Sequence, residues 1–102
     1  MRIIATLVVS TFCLASEAVA QEIPDYDTEA FCERRAGADT PDNRRFATCL
    51  MIEDLGLSEL DDYWPEASET MRLECIDEAS LTESYVELAT CIMARVREHR
   101  RR

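Results

Sequence analysis

Residues 47–51 read Ala-Thr-Cys-Leu-Met, and residues 89–93 read Ala-Thr-Cys-Ile-Met. Each of these segments follows another cysteine, which is Cys32 in the first copy and Cys75 in the second. In both copies a threonine lies nine residues before the second cysteine. The chain therefore contains a twofold internal repeat with four cysteines, and this pattern predicts a disulfide framework for two helical hairpins.

Residues 1–20 have the layout of a secretory signal peptide. Arg2 supplies a positive charge, residues 3–15 form an apolar run, and residues 18–20 read Ala-Val-Ala, the small-x-small pattern of a cleavage site. The apolar run is too short to cross a bilayer, which takes about 20 residues. We expect cleavage after Ala20, which would remove Cys13 and release residues 21–102 into the periplasm or out of the cell.

In an oxidising compartment, paired cysteines form disulfides. Zinc sites and redox motifs both use closely spaced cysteines, and this chain has no such pair and a single histidine, His99. We therefore predict no metal and no cofactor. Four cysteines allow three connectivities, and we favour the hairpin pairs Cys32–Cys49 and Cys75–Cys91. In each of these pairs the second cysteine lies about one helical turn farther from the connecting turn than the first cysteine does, and the connecting turn must make up this offset. Bridges between the hairpins are therefore the alternative.

Size and charge limit the function classes. Residues 21–102 make one domain, and a chain of this length buries only about 60–65% of its unfolded surface. Two disulfides would add about 3 kcal/mol each in the chain-entropy model. The net charge is −10, and the acids dominate residues 21–93 while residues 94–102 are rich in arginine. An acidic body argues against nucleic-acid binding, which needs a broad basic surface.

The helical pattern first predicts a hairpin over residues 28–55. Its first helix is capped by Thr28 and ends near Ala36. A threonine-proline restart predicts that Thr40 caps the second helix. Gly56 follows the last apolar residue of that helix and is expected to stop it. A connector, residues 56–66, then leads to the second hairpin.

The second hairpin is predicted over residues 67–102. Its first helix covers residues 67–79, and its last helix begins at Thr82. The apolar residues of this last helix recur at helical spacing on one face: Tyr85, Leu88, Ala89, Ile92 and Val96. With no alternating strand pattern, we predict an all-α fold of two disulfide-bridged helical hairpins that form a small irregular four-helix bundle.

The residues around Ser84-Tyr85, Leu88 and Cys91, with the preceding Cys75, resemble small exported four-cysteine helical proteins of alphaproteobacteria. The resemblance covers about the last thirty residues and, more loosely, the first repeat, which departs from the pattern at residues 43–45 because the Ser-Tyr pair is missing. It implies a helical fold and an exported location. It implies no activity.

No catalytic constellation is present in the sequence, because His99 lies in an arginine-rich end and no phosphate loop or nucleophile motif occurs. We predict a non-enzymatic exported interaction or structural protein, with an unidentified protein partner in the envelope or outside the cell. The alternative is an enzyme or metal-dependent factor that uses the acidic connector, where Glu59, Asp61, Asp62 and Glu66 offer oxygen ligands for calcium. The calcium-binding loop sequence itself is absent.

Tyr63 and Trp64 are the candidate interface residues. A lone tryptophan between two hairpins is expected to fill a small core, and we favour that role. Exposed beside a tyrosine, it would instead anchor a partner. The arginines of residues 94–102 are expected to be solvated, and anionic lipid, polysaccharide or the protein's own acidic body are their candidate contacts.

Overall fold

Helices make up most of the part of the chain that the structure, a computed structural model, describes, which is residues 22–37 and 42–102. Within these ranges there are four α-helices and no strand. The elements are α1 (Thr28–Ala36), α2 (Asn43–Tyr63), α3 (Glu69–Ala79) and α4 (Tyr85–Arg100), with a 3₁₀ turn at Trp64–Glu66. The all-α prediction is confirmed. The predicted signal peptide and the predicted cap Thr40 lie outside the described residues.

Two disulfides join the described helices in pairs. Cys32–Cys49 links α1 to α2, and Cys75–Cys91 links α3 to α4, each with its Cα atoms 5.6 Å apart. The predicted hairpin connectivity is confirmed. In each hairpin the first cysteine lies four residues before the end of its helix, and the second lies six residues after the start of the next. Those segments of helix are about 6 Å and 9 Å long, so the two cysteines of a hairpin are offset by less than the expected helical turn.

This offset is smaller than predicted because α2 and α4 begin later in the sequence than predicted. Asp42 caps α2, accepting hydrogen bonds from the amides of Arg44 and Arg45 at 3.0 and 3.2 Å. A short aspartate side chain is a stronger cap than threonine. The predicted start of α4 at Thr82 is wrong, because Glu83 has a φ of 54° and this left-handed conformation interrupts the helix.

Serine and aspartate also replace the expected residues at the other helix starts. Asp27, not Thr28, caps α1 by accepting from the Ala30 amide at 3.0 Å. Ser84 caps α4, and Ser68 caps α3, which begins at Glu69. In each case the side-chain oxygen accepts a hydrogen bond from one of the first backbone amides of the helix, which have no acceptor within the helix.

The second helix is longer than the sequence predicts. It continues through Gly56 to Tyr63, so the prediction that glycine stops it is wrong and most of the expected connector is helical. Gly56 is buried, and a Cβ atom there would lie 2.9 Å from the Val86 nitrogen and 3.1 Å from the Tyr85 carbonyl carbon. This glycine permits close contact between α2 and α4. The predicted break at Trp64-Pro65 is confirmed, since α2 ends one residue earlier.

The core forms around α4. All five residues of its predicted apolar face are buried. Leu60 and Trp64 pack against them from the end of α2, and Cys75 and Ala79 do so from α3. In the helix arrangement α2 contacts both α1 and α4, and α4 contacts both α2 and α3.

Trp64 occupies the core position that we favoured for it. Its side chain is 8% exposed. The guanidinium of Arg72 lies 5.3 Å from the indole centroid and donates to the Trp64 carbonyl oxygen at 2.6 and 3.1 Å. A cation placed against an aromatic face and bonded to the adjacent backbone holds the junction between α2 and α3.

The segment before α1 also packs against α4. The Tyr85 hydroxyl donates to the Pro24 carbonyl oxygen and accepts from the Tyr26 amide, both at 2.9 Å. The two tyrosine rings lie 4.9 Å apart between centroids. Burial is the main cause that raises the pKa of the Tyr26 phenol, and the nearby carboxylate of Glu83 adds to it. Ile23 and Tyr26, which precede the first helix, therefore extend the core.

We expect the two disulfides to stabilise the hairpins independently. Cys32→Ser and Cys49→Ser should each lower the free energy of unfolding by about 3 kcal/mol, and the double mutant by little more, since all three lose the same bond. Cys32→Ser combined with Cys75→Ser removes both bonds and should lose about twice as much. Guanidinium unfolding followed by circular dichroism measures these values. Equal losses in the two double mutants would contradict independence.

Candidate functional site

A buried carboxylate joins α2 to the start of α4. Glu53 is 2% exposed. Its Oε1 accepts from the Ser84 hydroxyl at 2.5 Å, and its Oε2 accepts from the amides of Tyr85 and Val86 at 2.6 and 3.2 Å. The first amides of a helix lack partners inside it, and a negative charge there interacts favourably with the helix dipole. Glu53 thus caps α4 from a different helix.

Sequence reasoning did not identify this contact. Glu53 is one of many acids in the chain, and no residue near it in the sequence indicates its partner. The spacing Ser84-x-x-Glu87 is that of a capping box, and it is the one local signal for the start of α4. In the structure the Ser84 hydroxyl accepts from the Glu87 amide at 3.4 Å.

An arginine-lined groove runs along α2 beside this contact. It has a volume of about 590 Å³, and α1 and the start of α4 form its walls. Its apolar lining comes from Phe31, Ile52 and Val86. Three arginines also line it: Arg35, Arg44 and Arg45. The Arg35 guanidinium lies 5.6 Å from the centroid of the Phe31 ring. Glu53 and Glu87 also line the groove, so its arginines outnumber its acids by one in a chain of net charge −10.

The side of α2 away from the core carries exposed apolar residues. Met51, Ile52 and Leu55 are 63%, 48% and 60% exposed. They lie within one turn of the helix, and Ile52 also lines the groove. One series of exposed residues follows at intervals of three and four along this helix, beside the exposed Asp54: Arg44, Thr48, Met51, Leu55, Ser58 and Asp62. We call these six residues, with the adjoining Ile52, the outer face of α2.

The acidic connector does not form a cation site in the described residues. Glu59, Asp61 and Asp62 lie within the last turn of α2 but point in different directions around it, and Glu66 pairs with Arg100. Calcium requires six or more oxygens that converge on one point. Among the described residues, one group of three ligand-type side chains lies within 4.8 Å: Cys75, Glu78 and Cys91. Its two sulfurs are bonded to each other, so neither is the thiolate that a metal would bind.

The arginines at the end of α4 contact the protein's own acidic groups. Arg95 pairs with Glu74 and, at 2.9 Å, with Glu78. The guanidinium groups of Arg97 and Arg100 each lie 5.8 Å from the centroid of the Tyr63 ring. Arg102 pairs with Glu98 one turn earlier, and His99 is exposed in the last turn of the helix. The expected contact with the protein's own acidic groups is therefore present for Arg95, Arg100 and Arg102.

The two predicted interface residues lie in different surroundings. Trp64 belongs to the core, whereas Tyr63 is half-buried under the two arginines of α4. An interface role for Tyr63 stays a prediction. No described helix is long and apolar enough to cross a membrane. Comparisons of the chain with family models, with curated proteins and with solved structures found no match.

Replacement of Glu53 should weaken the contact between the hairpins. Glu53→Gln removes the charge from three hydrogen bonds in a buried site, and we expect the free energy of unfolding to fall by about 2 kcal/mol. Asp54→Asn is the matched control, because Asp54 is the next residue and is exposed. The control should change stability by less than about 0.5 kcal/mol. Equal values for the two variants in chemical unfolding would contradict the role of Glu53.

Gly56→Ala tests the close approach of α2 and α4. In an ordinary helix interior this change stabilises by about 1 kcal/mol. Here the new Cβ meets backbone atoms of α4, which cannot rotate away, so we expect a loss of about 1–3 kcal/mol. Ser58→Ala, two residues later on the exposed side of α2, should be neutral or slightly stabilising. A melting temperature for Gly56→Ala above that of the wild type would contradict this packing.

Proposed function

We propose that this protein is a non-enzymatic exported protein, periplasmic or secreted, that acts by binding a protein partner through the outer face of α2. The observation that carries the proposal is the adjacent exposure of Met51, Ile52 and Leu55 on one helix. Clustered apolar side chains with a polar rim are typical of protein interaction sites. The rim here is formed by Arg44 at one end and Asp62 at the other.

The location rests on two kinds of observation. Disulfide bonds indicate an oxidising location outside the cytoplasm, and both described hairpins carry one. The signal-like pattern of residues 1–20 supports export to the periplasm or beyond. The resemblance to small exported four-cysteine proteins of alphaproteobacteria agrees with that location.

The alternative of an enzyme or metal-dependent factor would need the connector acids to act together. Three of them lie in the last turn of α2 but point in different directions around the helix, and the fourth is paired with an arginine. The outer face of α2 instead offers apolar area with few charges at its centre, which is the composition of an interface core. We therefore favour binding over catalysis.

Affinity capture from the native envelope fraction tests this proposal. The oxidised exported protein is immobilised as the wild type, as Ile52→Glu, as Leu55→Glu and as Leu73→Glu. Leu73 is the matched control because it has the same 48% exposure as Ile52 but lies on α3. We expect the wild type and Leu73→Glu to retain the same protein, and the two α2 variants to lose it, because a charge in an interface core must be desolvated.

Two results would count against the proposal. Retention of the same proteins by all four baits would show that binding does not involve α2. Loss with Leu73→Glu alone would move the interface to α3. Circular dichroism of each variant establishes that it is folded before capture.

A further inference from the structure

The charges of α2 run in the opposite order to those of α1 and α4. In α1 and α4 an acid lies in the first turn and arginines lie in the last, which suits the helix dipole. In α2 there is no acid in the first turn and no base in the last. Apart from its cap Asp42, this helix begins with Arg44 and Arg45 and ends with Asp61 and Asp62. Its own dipole interacts unfavourably with these charges.

The outer face of α2 has the spacing of a two-helix seam. Its residues from Arg44 to Asp62 follow at intervals of four, three, four, three and four, the spacing of the core positions in a coiled coil. The seam is about 27 Å long at the rise of an α-helix. Its two apolar seam positions, Met51 and Leu55, lie at the centre, and its charged residues lie at the two ends.

We propose that the outer face of α2 binds the same face of a second copy of this chain, with the two helices antiparallel. A two-fold axis midway between Met51 and Leu55 places Met51 against the partner's Leu55. The same axis places Thr48 against the partner's Ser58 and Arg44 against the partner's Asp62. Every contact then occurs twice. This inference rests on the proposed function and names the partner for that face.

The charges decide the orientation of the pair. A parallel pair would bring Arg44 against its own copy and Asp62 against its own copy, and like charges in contact repel. The antiparallel pair turns both contacts into ion pairs and sets the two helix dipoles in opposition. The basic start of each α2 is then beside the acidic end of the other, which offsets the unfavourable order within each helix.

The net charge explains why this face, and not another, is used. Each copy carries a net charge of −10, so two copies repel each other over most of their acidic surface. Within the seam Arg44 balances Asp62 and the two central residues are apolar, while the exposed Asp54 lies beside them. A single helix pair buries an area at the lower end of the range for specific interfaces, below about 1,200 Å². The dimer is therefore expected to form reversibly with concentration.

Sedimentation velocity over a wide range of protein concentration tests the dimer. The proteins compared are the wild type, Arg44→Asp, Asp62→Arg, the double reversal and Leu73→Glu. We expect the wild type and Leu73→Glu to share one dimer dissociation constant. Each single reversal sets like charges opposite each other at both ends and should raise that constant about tenfold or more. The double reversal restores opposite charges in an antiparallel pair alone, and should return the constant to within a few-fold of the wild type.

The same variants separate lost association from lost folding. Arg44→Asp places an acid in the first turn of α2, and Asp62→Arg places a base in the last turn. Both changes suit the helix dipole, so the melting temperature of the dilute monomer should stay level or rise while dimerisation weakens. A dimer lost through unfolding would instead be accompanied by a lower melting temperature.

Three results would overturn the inference. A wild type that stays monomeric at every concentration excludes the dimer, and the proposed function survives this if capture still depends on Ile52 and Leu55. If neither single reversal changes the dimer dissociation constant, or if Leu73→Glu abolishes the dimer, the dimer uses another face. A double reversal that stays as weak as the singles excludes the antiparallel arrangement.

Discussion

The fold depends on the carboxylate of Glu53 at the start of α4. The two disulfides of the described residues each close one hairpin, and neither joins one hairpin to the other. The contact between α2 and α4 must therefore hold the halves together. Glu53 occupies two amides and a hydroxyl that α4 cannot satisfy by itself, and it does so in a buried site. A buried charge is tolerated there because each of its oxygens has a donor.

The same contact decides which side of α2 is free. Glu53, Gly56 and Leu60 lie on the side that is buried. Because side chains on a helix are separated by about 100° per residue, Met51 and Leu55 must then point away from α4. The exposed apolar residues are thus a geometric consequence of the buried ones. One helix supplies both the contact that assembles the fold and a group of exposed apolar residues.

The sequence predicted the features that depend on local periodicity and on cysteine spacing. The all-α class, the two disulfides and the apolar face of α4 follow from repeated intervals along the chain, and all three were confirmed. Gly56 was misread because a glycine has the same local meaning at a helix end and at a tight helix crossing. Only the position of Val86 on another helix distinguishes the two.

The candidate site was less predictable than the fold, because it too depends on contacts between residues that are distant in the sequence. Glu53 is one of many acids, and its burial depends on α4, which is more than thirty residues away in sequence. The groove gathers arginines from α1 and α2 against residues near the start of α4, so no single segment of sequence carries its pattern. The helix starts were missed by smaller margins, because Asp42 and Ser84 compete as caps with nearby threonines and the turn conformation decides between them.

The basic start and acidic end of α2 lower the stability of this helix, and the first disulfide opposes that effect. A charge of the wrong sign at a helix end costs about 0.3–1 kcal/mol, and a domain of this size has little stability to spare. The first disulfide ties α2 to α1 at Cys49, six residues after the helix begins. This bond keeps the start of α2 folded beside α1 despite its two arginines. The bridge therefore allows α2 to retain, at its exposed ends, charges that are unfavourable for the helix itself.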